Sequence, residues 1–108
     1  MLTAILLMIA PAVVEPMSHE AELAKAELTW RSCANREAKR LATKSREPAE
    51  TIATAALALC QGDARAMELA RRRVVVGGGL GTDFSDRIND NIISAERGRL
   101  LATVIDAR

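Results

Sequence analysis

Between Ser18 and about Lys44, apolar residues recur at steps of three and four. Leu23, Ala26, Trp30, Cys33/Ala34, Ala38 and Leu41 trace one stripe, the mark of a helix with one buried face. Ser18 suits the N-cap, Glu20 and Glu22 the positive end of the helix dipole, and Lys39, Arg40 and Lys44 its negative end. Ser45-Arg46-Glu47-Pro48 then breaks the pattern, since the residue before a proline is pushed out of helical angles. Pro48 itself suits the first position of a new helix. In that helix Ile52, Ala53, Ala56, Leu57, Leu59 and Cys60 form a broad apolar face, which Ala64, Met67, Ala70 and Val74 continue. One helix from Pro48 to about Arg73 is predicted, with Gly62-Asp63 tolerated inside it.

Gly77-Gly78-Gly79-Leu80-Gly81 must end whatever Val74-Val75-Val76 belongs to, helix or strand. Thr82, Asp83 or Ser85 can cap a further helix. Phe84, Ile88, Ile92, Ala95, Leu101, Val104 and Ile105 lie near one side of it, and Gly98 can kink or divide it. The pattern therefore predicts an all-α fold. An antiparallel helical hairpin spans 18–73, a Gly-rich hinge 77–81, and a third C-terminal helix 83–106 folds back over the hairpin.

Composition narrows the classes. The chain has 108 residues, enough for one domain, and 49% are hydrophobic but only 2% aromatic. Twenty alanines against two rings, Trp30 and Phe84, exclude an aromatic-rich sandwich and a stacking platform for single-stranded nucleic acid. They favour closely packed helices. A formal charge of +1 is far from a nucleic-acid footprint, and no nucleic-acid partner is expected. Arg71-Arg72-Arg73 is a local basic cluster, read as a solvated edge that can meet a partner.

The first fourteen residues carry no charge and are almost all aliphatic or Met. The run is shorter than the roughly 20 apolar residues that cross a bilayer. It suits the apolar region of an export signal, and Ala10-Pro11-Ala12 supplies a small-x-small cleavage pattern. Residues 1–12 are thus expected to be a signal peptide and 13–108 one small helical domain, with Val13 as its first residue. If the segment were kept, it would give membrane contact instead.

Export would put Cys33 and Cys60 in an oxidising compartment, where thiols can pair. The midpoint of 33 and 60 is 46.5, inside the predicted turn, so two antiparallel helices would bring both cysteines to the same height. Each lies on its helix's apolar stripe, and alanine on both faces permits the close approach a disulfide needs. A Cys33–Cys60 disulfide is predicted.

Val74-Val75-Val76-Gly77-Gly78-Gly79-Leu80-Gly81 also looks like the opening of a dinucleotide-binding unit, with Leu101 to Ile105 as a second strand. Thr82 in place of the last glycine and Asp83, Asp86 and Asp90 near the helix start speak against that reading. It stays a remote alternative. His19 is the sole histidine, with no Ser or Cys that spacing sets beside it, so no catalytic residue is assigned. Two Cys with one distant His cannot build a four-ligand zinc site, and no metal or other cofactor is expected. Trp30, one turn from Cys33, is expected over the disulfide, or as a partner hot spot with Arg71, Arg72 and Arg73.

Trp30-x-x-Cys33, the run from Ser45 to Ala53, and Ala55-Ala56-Leu57-x-x-Cys60 together resemble small exported two-cysteine helical-hairpin proteins of bacteria that lack an assigned activity. The resemblance covers roughly residues 28–62. It implies an envelope location and carries over no function and no site residue. In size, compartment and a helix-joining disulfide the chain is also similar, by analogy, to acid-stress periplasmic chaperones. The expectation is a non-catalytic exported protein that acts by protein–protein interaction with another envelope protein or itself. The alternatives are a membrane-tethered small subunit of an envelope complex and a holdase-like chaperone.

Overall fold

A computed structural model describes residues 17–108. The expected signal peptide, 1–12, lies outside the described residues. Those described form four helices and no strand: α1 (His19–Lys44), α2 (Ala49–Leu59), α3 (Gln61–Gly77) and α4 (Thr82–Ala107).

Helix α1 begins as its sequence dictates. The Ser18 hydroxyl accepts from the Ala21 N–H at 3.1 Å, relieving one of the unpaired donors of the first turn. Trp30, Cys33, Ala34, Ala38 and Ala42 are its buried row. Pro48 stands at the N-cap of α2, one position before the first helical residue.

Cross-helix pairs give the directions. Cys33 with Cys60, Glu27 with Arg71 and Glu22 with Arg73 run α1 against α2 and α3. Arg72 with Asp86 and Arg71 with Asn89 run α3 against α4. Asn35 with Thr103 and Ala42 with Arg108 run α4 alongside α1.

The single helix expected from Pro48 to Arg73 is two. The chain turns at Cys60 (φ −102°, ψ 21°), where its N–H is shared between the Ala56 and Leu57 carbonyls. Gly62 follows two residues on, and a glycine weakens helix by about 1 kcal/mol against alanine, so bending here is inexpensive. The Ala64 N–H still donates to the Cys60 carbonyl at 3.1 Å. The apolar stripe thus runs through the bend, and periodicity alone could not reveal it. Residues 74–76 are helical, and α3 continues to Gly77.

The connection to α4 is tight. Leu80 donates to the Val75 carbonyl and Gly79 to that of Val76, while Gly79 sits at φ +91°, a conformation that favours glycine.

The core divides along the bundle. Toward the α1–α2 turn it is apolar, with Ala34, Ala38 and Ala42 in one cluster with Ile52, Ala53, Ala56, Leu100 and Val104. Small side chains on two helices let the backbones approach, and the Cα atoms of Cys33 and Cys60 are 5.9 Å apart. Toward the Gly-rich connection the buried set includes Arg71, Ser85, Asn89 and Glu96.

This corrects part of the face read for the last helix, in which Val104 is buried and Ile92 and Leu101 pack against the core as expected. Phe84 and Ile105 are 42% and 65% exposed, while the buried row is Ser85, Asn89, Glu96, Leu100 and Val104. The helix is turned by about one residue from the apolar expectation. Asn89 accepts from Arg71 and Glu96 lies near Arg31 and Arg99, which offsets part of their burial, while the Ser85 hydroxyl is buried without a protein partner.

Candidate functional site

The Cys33–Cys60 disulfide is present, with S–S 2.03 Å. Trp30 is 1% exposed and belongs to the same core cluster as both cysteines. Its indole Nε1 is buried without a protein hydrogen-bond partner. A ring so enclosed sits in the core with the disulfide, the first of the two positions expected for it.

The first arginine of the cluster is drawn inward, and the other two stay at the surface. Arg71 is 6% exposed; its Nη2 donates to Glu27 Oε1 at 2.6 Å and its Nε to Asn89 Oδ1 at 3.2 Å. Arg72 pairs with Asp86 at 3.1 Å, and Arg73 with Glu22 at 3.4 Å. Three consecutive residues point about 100° apart around a helix, so they reach different neighbours and cannot form one basic face. Arg71 ties α1 to α4 through α3, Arg72 faces α4, and Arg73 faces α1. Of the basic edge expected as a partner surface, Arg71 is buried, while Arg72 and Arg73 stay at the surface in ion pairs with Asp86 and Glu22.

Glu96, 3% exposed, lies 3.8 Å from Arg31 Nε and 3.5 Å from Arg99 Nη1. With Glu27, Arg71 and Asn89 it completes a polar seam joining α1, α3 and α4. A buried ion pair leaves no periodic signal, because each partner looks like a surface charge on its own helix.

The opposite surface carries what the sequence reading missed. Along α2 and α3, Ala55, Leu59, Gly62, Ala66, Leu69, Arg73 and Val76 follow steps of four and three, which places them on one face. Leu59 is 58% exposed, Leu69 51% and Val76 48%, and Leu80 (51%) extends the row into the connection. Cys60, Met67, Ala70 and Val75 are buried on the other side. These helices therefore have two apolar faces, and only one is used in the core. Leu59, read as core from its neighbours, belongs to the outer one. The extra row shows in sequence as a second four–three series, hidden by the alanine-rich background.

Beside this row a groove of about 400 Å³ runs between α1 and α3. Met17 and Glu22 line one end, Ala26 and Ala66 its sides, and Thr29 and Asp63 the other end, with Lys25 at the rim. Among the described residues, no group of three or more His, Cys, Asp or Glu side chains is placed to hold a metal ion. The dinucleotide-binding alternative needs strands at 74–76 and 101–105, and both segments are helical.

Comparisons with protein-family models, with characterised proteins and with solved structures found no match to the chain.

Proposed function

We propose that the protein is a non-catalytic, exported helical interaction protein that binds its partner through the outer face of α2 and α3. The observation carrying this reading is the row Leu59, Leu69 and Val76, large apolar side chains held exposed on one face of α2 and α3, with exposed Leu80 following in the connection. Such a row matches an amphipathic helix with apolar residues at the same spacing. The disulfide fits an oxidising, extracytoplasmic compartment. No described helix is long and apolar enough to cross a membrane. In this reading residues 1–12 direct export and are removed before Val13, and a disulfide-linked hairpin of α1 with α2–α3 presents the face.

The test is site-specific photocrosslinking in the native envelope. A photoreactive residue at position 69 should give a discrete adduct with another envelope protein or a second copy, and one at exposed Arg36 should not. Absence of adducts from positions 59, 69 and 76 alike would remove the reading.

The polar seam favours a second reading, the holdase-like chaperone. Helix α4 packs its first half through Ser85, Asn89 and Glu96, contacts that separate with less apolar exposure cost than a leucine seam. Lifting α4 about the Gly77–Gly81 hinge would bare the hairpin to unfolded clients. Suppression of client aggregation at low pH supports this, and its absence across pH excludes it. A retained N-terminal segment with the protein in the membrane fraction would favour the tethered subunit.

A further inference from the structure

The outer row of α2 and α3 is complementary to itself. Leu59 and Val76, Gly62 and Arg73, and Ala66 and Leu69 each lie at equal distances on either side of a midpoint between Met67 and Glu68. An antiparallel copy centred on that point sets every residue of the row opposite the other member of its pair. The sizes then match: the partner's Leu69 lies over Ala66, the stem of the partner's Arg73 over Gly62, and the partner's Val76 against Leu59. Within the chain a Cβ on exposed Gly62 would meet nothing within 4 Å, so the chain's own packing does not call for a glycine there. A parallel copy would instead set Arg73 against the partner's Arg73, two like charges in one seam.

We infer that the occupant of this face is a second copy of the chain, docked antiparallel along α3 about a two-fold axis between Met67 and Glu68. The inference rests on the interaction face proposed above and names what covers it.

Charge supports the same occupant. An axis of this kind brings each flank of the row against the same flank of the copy, in reverse order. On the flank toward α1, Lys25 and Asp63 line one groove. On the flank toward α4, Arg65 and Glu68 stand beside Asn89 and Ile93. Among the described residues none of these four charges enters an ion pair. Each flank thus offers one cation and one anion that a single chain leaves unpaired. The partner's Glu68 comes level with Met67, about 3 Å along the axis from Arg65. The partner's Asp63 comes level with Arg72, next to the Glu22–Arg73 pair and about one turn of α1 from Lys25.

From Leu59 to Val76 the row is about 25 Å long at 1.5 Å per residue, and it is one helix wide. A contact of that size lies at the small end of specific interfaces, so the dimer is reversible and governed by concentration.

The experiment uses the exported protein with its disulfide intact, in sedimentation velocity from about 10 μM to about 1 mM. The expected result is a reversible shift from monomer to dimer within that range. Gly62→Arg places bulk and like charge opposite the partner's Arg73 at a position with free space in the single chain. It should raise the concentration needed for dimer at least about tenfold, with an unchanged far-ultraviolet spectrum. A photoreactive residue at position 59 of the purified protein should link to the partner's segment around Val76. A monomer at every concentration overturns the inference. So does a dimer indifferent to Gly62→Arg, or a link from position 59 to the same position of the partner. In each of these cases adducts of position 69 with another envelope protein leave the interaction face standing, whereas the lack of any adduct from positions 59, 69 and 76 removes both.

Discussion

Arg71 and Glu27 meet at 2.6 Å across 44 residues of sequence, with the arginine side chain 7% exposed. The guanidinium also donates to Asn89, so one side chain on α3 holds α1 and α4 together. Removing the arginine leaves Glu27, 23% exposed, and the buried Asn89 without their partner, which costs about 1–3 kcal/mol. Arg71→Ala is therefore expected to destabilise by about 2 kcal/mol in chemical denaturation. Arg71→Met with Glu27→Gln, which removes both charges, should recover much of the loss. A single variant within about 0.5 kcal/mol of the native protein would show that the seam is not held by this pair.

The disulfide closes a loop whose ends are 27 residues apart and lies at the junction of the two halves of α2–α3. By loop-closure entropy, a crosslink of that span stabilises by about 3.5 kcal/mol. Cys33→Ser with Cys60→Ser should lose about that much, plus the cost of burying two hydroxyls where Cys60 is 2% exposed. Equilibrium urea unfolding of the native and double-serine proteins gives the difference.

Arg108 closes the opposite end. Its guanidinium donates to the carbonyls of Ser45 at 2.8 Å and Glu47 at 2.6 Å, and to that of Ala42 at 3.4 Å. These bonds bind α4 to the turn between α1 and α2, where the last carbonyls of α1 lack helical partners. Arg108→Ala should cost about 1 kcal/mol. Amide exchange should rise at residues 45–47 while the Trp30 amide stays protected. Uniform protection across the turn would argue that the clamp adds nothing.

On the surface of α1, the Arg40 guanidinium donates to Glu37 Oε1 at 2.6 Å and 2.8 Å. That hydrogen bond, helped by the charges of Arg40 and Arg36, holds the Glu37 carboxyl below its ordinary pKa, against an opposing desolvation second in size to the hydrogen bond. A carboxyl lowered in the folded state adds stability above its unfolded pKa, and that contribution is lost as pH falls through the folded value. Carboxyl NMR titration should find Glu37 below the usual 4.3 of glutamate, and Arg40→Gln should raise it. Because the pair is on the surface, the associated change in melting temperature should be small and should shrink in high salt.

What the sequence determined by itself is local. The Ser18 cap, the break before Pro48, the glycine-rich end of α3 and the stripe through Trp30, Cys33 and Ala38 all follow from neighbours within a turn or two. The Cys33–Cys60 pairing followed as well, because a turn midway between two cysteines sets them at equal height and alanine leaves room for the bond. Which charges would be buried was decided only by tertiary structure. Glu27, Arg71, Asn89 and Glu96 each look solvated on their own helix, and their burial is tolerated only because helices far apart in sequence bring them together. The same holds for the two faces of α2 and α3. Both have apolar spacing, and only packing against α1 and α4 turns Cys60 and Met67 inward and leaves Leu59 and Leu69 outside. Helix periodicity reports that a face is apolar; what covers it depends on the arrangement of the other helices.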